Sequence, residues 1–229
     1  MTPHPLDNPV WASLTSRHAV LARRAGHAAR YPAEIAPFVA VDAGSSSAAA
    51  QVRALVEPDE LVCFVGVAPP LLSDWHVEQS VAIAQMICRS PLEVIEGPDV
   101  SELSGTHVAD MLALTALVYP HYFRRRTIEM GGYIGIYDGN ILAAMAGRRM
   151  HFDGHQEISA VCTHPDYVGR GYARRLIAIL TNEILGGGQV PFLHFSHENV
   201  RAKALYEQIG YSYRTDIPLL AVRKRKGHS

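Results

Sequence analysis

The chain reads as an α/β protein built on a mixed sheet. Three observations carry this: apolar runs of strand length alternate with helical apolar spacing, clusters of Gly, Pro, Asn and Asp separate them, and in the second half a strand leads through a glycine-containing turn into a long helix. Taken in order, Trp11, Leu14, Ala19, Val20 and Leu21 predict a helix within residues 9–31, stopped at Tyr31-Pro32. A strand at 38–41, a Gly-Ser turn at 44–47, an alanine-rich helix to Val56 and a strand at 61–67 follow. A helix over 76–89 and a short strand at 92–95 lead to Gly97-Pro98, which divides the chain into residues 1–97 and 98–229. The second part opens with a helix at 108–118, ended at Tyr119-Pro120, and a short basic helical segment at 122–128. Apolar runs at 133–137 and 141–150 around Asp138-Gly139-Asn140 predict a hairpin. A strand at 157–163 comes next, then a helix carrying Ala173, Leu176, Ile177, Leu180 and Ile184 and closed by Gly186 to Gly188. A strand at 192–195, a helix at 199–209 and a strand region at 211–222 complete the order. The two parts share a loose α/β order compatible with an ancient duplication.

Composition narrows the function classes. Hydrophobic residues make up 48%, charged residues 19%, and the formal charge is -1, which excludes wholesale disorder and a global nucleic-acid footprint. The apolar runs at 61–68 and 110–118 fall short of the ~20 residues that span a bilayer. The N-terminal stretch has neither the basic nor the apolar region of a secretory signal, so the expectation is a cytoplasmic protein with no membrane partner. Cys63, Cys88 and Cys162 lie in apolar stretches without a CxxC pair and are expected as buried thiols, with no metal site. Residues 1–97 carry six basic against ten acidic side chains, residues 98–229 fifteen against twelve, so an anionic ligand prefers the second part.

The stretch Val168, Gly169, Arg170, Gly171, Tyr172, Ala173, Arg174, Arg175 stands between a strand and a helix. Two glycines and an alanine at such a turn let backbone N–H groups approach a ligand closely, and the helix N-terminus adds partial positive charge; both favour a phosphate. Arg170, Arg174 and Arg175 crowd a turn where the macrodipole disfavours cations, a conflict that a bound anion would remove. By itself the segment also fits a connector with solvated arginines. A Walker-type loop lacks its Gly-Lys-Ser/Thr here, and a dinucleotide fingerprint lacks its third glycine.

With its surroundings this loop resembles the GNAT superfamily of N-acetyltransferases, in which an Arg/Gln-x-x-Gly-x-Gly/Ala loop holds the CoA pyrophosphate and an Asn-x-x-Ala-x-x-x-Tyr segment follows on the next helix. Here the loop is Val168 to Ala173, and the later segment is Asn199, Ala202 and Tyr206. Val168 stands where the family usually has Arg or Gln. The resemblance covers roughly residues 99–223, and the wording from Glu157 to Pro165 looks closest to the glycine N-acyltransferase-related subgroup. It implies a C-terminal GNAT domain and a smaller, degenerate GNAT-like N-terminal part without a cofactor motif. It also implies acetyl-CoA as cofactor, held by Val161, Cys162 and Thr163 on a splayed strand edge, by Val168, Gly169, Arg170, Gly171, Tyr172, Ala173 and Arg174, and by Asn199, Ala202 and Tyr206.

Chemistry needs a base for the amine and an acid for the departing thiolate. Glu157 matches the position of the family's glutamate base, and its apolar neighbours are expected to bury it partly and raise its pKa; an arginine-paired strand-end carboxylate is the alternative. Tyr206 lies seven residues from Asn199, on the same helix face, and matches the family's general acid; a core tyrosine is the alternative. Cys162 has no identifiable activating histidine, so direct transfer is expected over an acyl-enzyme. Tyr119, His121, Tyr122 and Phe123 at the helix break are candidates for binding the acceptor, and the run Arg124 to Arg126 reads as a solvated face. The expected activity is N-acetyl transfer from acetyl-CoA to a primary amine of a small molecule or amino acid in a ternary complex, with a non-catalytic CoA sensor as the alternative.

Overall fold

The computed structural model describes residues 4–120 and 122–225. The chain has the expected mixed α/β class and divides into two compact units, Met1–Ile83 with Asp216–Ser229, and Ala84–Thr215.

The first unit contains α1 (Pro9–Leu14), an antiparallel sheet of β1 (Arg23–Ala25), β2 (Ala28–Arg30) and β3 (Val39–Val41), then α2 (Ala48–Leu55) and β4 (Leu61–Val65). The single helix expected within 9–31 is not formed. The Thr15 and Ser16 hydroxyls donate back to the carbonyls of Trp11 (2.7 Å) and Ala12 (2.6 Å), and Gly26 at φ 55° turns the chain into the β1–β2 hairpin. Such local bonds end a helix that apolar spacing alone would continue. Val39, Val41, Val52, Phe64 and Trp75 form the core of this unit.

The helix expected over 76–89 is a strand, β5 (Trp75–Ile87). Val77, Val81, Ile83 and Ile87 are β-branched and suit the extended backbone better than their helix-like spacing suggests. Both β5 and β11 (Ser212–Lys224) have residues in each unit, and Gly97-Pro98, the expected boundary, lies inside the second.

The second unit holds β6 (Ser101–Leu103), α3 (Val108–Val118), β7 (Tyr133–Asp138), β8 (Ile141–Phe152), β9 (His155–Thr163), α4 (Tyr172–Gly186), β10 (Val190–Ser196) and α5 (Val200–Ile209). Its strands run in the order β10-β9-β8-β7-β6, with β10 parallel to β9 and the remaining pairs antiparallel. The short strand expected at 92–95 is absent, because the Leu92 backbone exchanges bonds of 2.8 and 2.9 Å with the Asn182 side chain on α4 instead of a sheet neighbour. The basic segment expected as helix at 122–128 is a turn followed by a 3-10 helix at Thr127–Met130, where the Arg124 N–H donates to Thr127 Oγ1 at 2.7 Å. Among the described residues no helix is long and apolar enough to cross a membrane.

Each face of this sheet has its own apolar cluster. Ile134, Ala144, Ala146 and Ile158 pack under α4 and α5, while Tyr133, Met145 and Cys162 pack with Met111 and Leu114 of α3. Two bulges interrupt β8–β9: Arg149 and Met150 together oppose Glu157, and Ala160 and Val161 together oppose Ala146, with Ala160 at φ 51°. A left-handed alanine is costly, so the second bulge is a built feature.

Gly147 stands opposite Tyr133, and a Cβ there would meet its ring at 2.1 Å. Gly147→Ala must push the ring aside, with an expected loss of about 1–3 kcal/mol in a urea titration. An unchanged midpoint would show that the ring is not fixed by the missing side chain.

Candidate active site

The parallel ladder between β9 and β10 has three pairs: Val190↔His155, Pro191↔Gln156 and Phe192↔Glu157. Beyond them β9 continues to Thr163 and β10 to Ser196 with no further pairing between the two among the described residues. The strands therefore fork, and the β10-facing edge of residues 158–163, including Val161, Cys162 and Thr163, is left open. Free N–H and C=O groups along such an edge suit an extended, amide-bearing ligand.

Glu157 is the last paired residue and is fully buried. Arg149 grips its carboxylate with both nitrogens of a fork, Nε to Oε2 at 2.7 Å and Nη2 to Oε1 at 2.6 Å. His194 Nδ1, on β10, lies 2.8 Å from Oε1, so a side-chain bridge joins the two strands where their backbone pairing ends. The chain of contacts continues through Gln85, whose Nε2 is 2.9 Å from His194 Nε2 and whose Oε1 accepts from Arg214 at 2.8 Å. Arg214 fixes which end of the Gln85 amide faces the histidine. His194 Nε2 therefore accepts and its Nδ1 donates to Glu157.

This overturns the expected raised pKa of Glu157. Burial does push the carboxyl up, but the charge of Arg149 and its paired hydrogen bonds, with His194 adding to them, hold it at about 2. Glu157 is ionised, and both of its oxygens are occupied.

At the start of α4, Gly169 (φ 87°) and Gly171 (φ 78°) take the left-handed backbone that favours glycine. Gly171 is the N-cap and supplies no side-chain cap; the Arg175 N–H bonds its carbonyl at 3.0 Å, so the N–H groups of residues 172–174 point past the helix end. The space beside Gly169 is open to 4 Å. Val168 is exposed, and Tyr172 and Ala173 are half-buried. The arginines do not all face this turn: Arg174 pairs with Glu93 at 3.0 Å, Arg175 donates to the Ile95 carbonyl, and Arg170 lies 4.6 Å over the Tyr167 ring. The Glu93 carboxylate thus offsets the expected clash of Arg174 with the helix dipole, whereas Arg175 is turned to a neutral carbonyl.

Asn199 caps α5 by accepting from the Ala202 N–H at 3.0 Å. Ala202 packs against the α4–α5 cluster. Tyr206 is 7% exposed, with its ring 5.5 Å from Phe195 and 6.1 Å from Tyr211, and its hydroxyl makes no hydrogen bond among the described residues. Burial, with Cys162 adding, pushes its pKa above the usual tyrosine value, so it keeps its proton. Cys162 is pushed up to about 12 by burial and holds no thiolate at neutral pH.

The expected acceptor residues separate. Tyr119 is 52% exposed with its ring tilted against that of Tyr122 at 5.7 Å, whereas Phe123 turns inward and stands edge-on to Tyr133 at 5.6 Å; His121 lies outside the described residues. Sequence reading missed Arg149, His194, Gln85, Arg214 and Tyr133. The turn Asp153-Gly154 between two apolar runs was the available signal for a β8–β9 hairpin, which brings Arg149 across from Glu157.

Comparison with known proteins agrees with this layout. The family model described as FR47-like protein matches residues 133–217. A crystal structure of a GNAT-family protein from Novosphingobium aromaticivorans is 33% identical, covers 98% of this chain and 100% of its own, and superposes with a TM-score of 0.89. A GCN5-related N-acetyltransferase from Kribbella flavida shares the fold at 16% identity, with a TM-score of 0.64 and coverage of 97% and 96%. A GCN5-related N-acetyltransferase-like protein from Streptococcus suis does so at 14% identity, with a TM-score of 0.52 and coverage of 96% of each chain. No curated protein matches the chain.

Because the pKa of Glu157 is depressed, the stability it contributes is present above the ordinary carboxylate range and is lost as pH falls toward about 2. Arg149→Ala leaves that buried charge without its main partner, with an expected loss of ~3–5 kcal/mol at pH 7. Denaturation of both proteins between about pH 3 and 7 should show the gap shrinking toward acid, as the variant's carboxyl takes up its proton first. A gap independent of pH would contradict the charge assignment.

Proposed function

The chain belongs to the GNAT family of acetyltransferases, and on that premise we propose that it transfers an acetyl group from acetyl-CoA directly to a primary amine of a small molecule or amino acid. The observation that carries the proposal is the fork between β9 and β10 beside the uncapped, glycine-flanked start of α4. An open strand edge and a cluster of outward amides fit a ligand that has amide bonds along one arm and a pyrophosphate at its end.

Acetyl-CoA bound there supplies the acetyl group as an activated thioester. The N–H groups of Gly169, Arg170, Gly171, Tyr172, Ala173 and Arg174, with the α4 dipole, hold the pyrophosphate. Val161, Cys162 and Thr163 offer backbone groups to the pantetheine arm, and Asn199 and Ala202 line its far side. Tyr206 Oη holds the proton that a leaving thiolate requires and recovers it from water afterwards. Tyr119, Tyr122 and Phe123 border the acceptor side.

Glu157 is better placed as a positioning residue than as the base. A carboxyl near pKa 2 cannot keep a proton taken from an amine at neutral pH. The acceptor nitrogen then binds as the free amine, attacks with its lone pair, and loses its surplus proton to water. The wording of residues 157–165 supports an acceptor of the amino-acid type, close to the glycine N-acyltransferases. In this reading residues 1–97, which carry no cofactor motif, take no part in the chemistry, and the enzyme works in the cytoplasm. A non-catalytic CoA sensor would need only the loop; the unbonded, protonated hydroxyl of Tyr206 favours transfer.

Thiol release from acetyl-CoA, followed over a panel of amines, tests the reading. Tyr206→Phe should leave acetyl-CoA binding intact and lower turnover by about 10- to 1,000-fold. With the wild type, kcat/KM for the amine should rise with pH toward the amine's own pKa, with no acid limb near pH 6–7 from the protein. Full turnover by the Phe variant would remove the acid, and a limb that stayed fixed when the amine was changed would restore a protein base.

A further inference from the structure

Tyr133 is 1% exposed, and its hydroxyl has no hydrogen-bond partner among the described residues. It is not a stray core ring. On β7 it stands in register with Gly147 of β8, which is in turn in register with Ser159 of β9, so the ring lies across the sheet on the face covered by α3. Only the absence of a side chain at Gly147 allows that position. Burial raises its pKa, and the hydroxyl also lies within range of the charges of Arg149 and Glu157, so it offers a proton to share and cannot act as a base.

A buried hydroxyl with no partner bears its full desolvation penalty, and phenylalanine would fill the same space without it. A structure tolerates such a group where a ligand completes it. Around it, Ser159 and Ala160 are half-buried on β9, and Phe123, half-buried, stands at the edge of the ring.

We propose that Tyr133 determines acceptor specificity: its hydroxyl donates a hydrogen bond to an oxygen carried by the acceptor amine, beside Arg149 and Ser159 on the α3 face of the sheet. This rests on the acetyl-transfer reading and narrows it. A donor needs a lone pair, which an alkyl amine committed to attack does not spare. The acceptors selected are amines with a carboxylate, amide or hydroxyl oxygen a few bonds from nitrogen.

The test is Tyr133→Phe, read in two ways. Without any ligand the variant should melt at the same temperature as the wild type or higher; a lower Tm would mean that the hydroxyl already has an internal partner, and would overturn the proposal. In thiol-release assays with glycine, glycinamide, ethanolamine and propylamine, the wild type should prefer the oxygen-bearing amines. The variant should lose about 10- to 100-fold of kcat/KM on them, the worth of one buried hydrogen bond, while its KM for acetyl-CoA and its rate on propylamine stay unchanged. Equal loss on propylamine, or a raised KM for acetyl-CoA, would assign the hydroxyl to the donor or to the fold and overturn the proposal. A wild type inactive on every amine would refute the transfer reading itself; the melting comparison then decides on the hydroxyl alone.

Discussion

Where β9 and β10 stop pairing, one carboxylate holds three strands together. Glu157 takes both arms of Arg149 from β8 and the Nδ1 of His194 from β10. Two parallel strands that separate after three pairs would leave backbone groups unsatisfied and the gap ill-defined. A charge-assisted bridge at the last paired residue fixes where the separation begins. The bulge that opposes Arg149 and Met150 to Glu157 exists for this contact, since it brings a guanidinium and a backbone N–H onto one carboxylate. Removing either charge exposes the other to the low-dielectric interior, which is why the pair stays ionised although burial opposes it.

From the fork the two faces of the sheet diverge in chemistry. The face beneath α4 and α5 carries the glycine turn, the Asn199 cap and Tyr206, whose ring packs beside those of Phe195 and Tyr211. The face beneath α3 carries Arg149, Glu157, Cys162 and Tyr133. On the proposed reading, donor and acceptor would approach the open strand edge from opposite faces and meet there, since the attacking nitrogen must come within about 3–3.5 Å of the thioester carbon.

Much of this was legible in the sequence where local signals agree. The hairpin around Asp138-Gly139-Asn140, α3 ended before Pro120, and α4 and α5 each followed by glycine all combine periodicity with punctuation. Helical spacing failed where tertiary pairing decides, as in β5, and where hydroxyls compete with the helix, as after Leu14. The site was half legible. Gly169, Gly171, Asn199 and Tyr206 lie in contiguous motifs, whereas Arg149, His194, Gln85 and Tyr133 meet through strand register, which requires bulges that no pattern of residue types announces. The pKa of Glu157 went astray for the same reason: its neighbours in sequence are apolar, but its neighbours in space are charged.

The most direct measurement is amide hydrogen exchange with and without CoA. If the fork and the α4 turn hold the ligand, CoA should slow exchange at residues 161–163 and at 169–174 together, because the same molecule spans both. Protection confined to residues 1–83, or at neither segment of the second unit, would contradict the placement of the cofactor on which the mechanism stands.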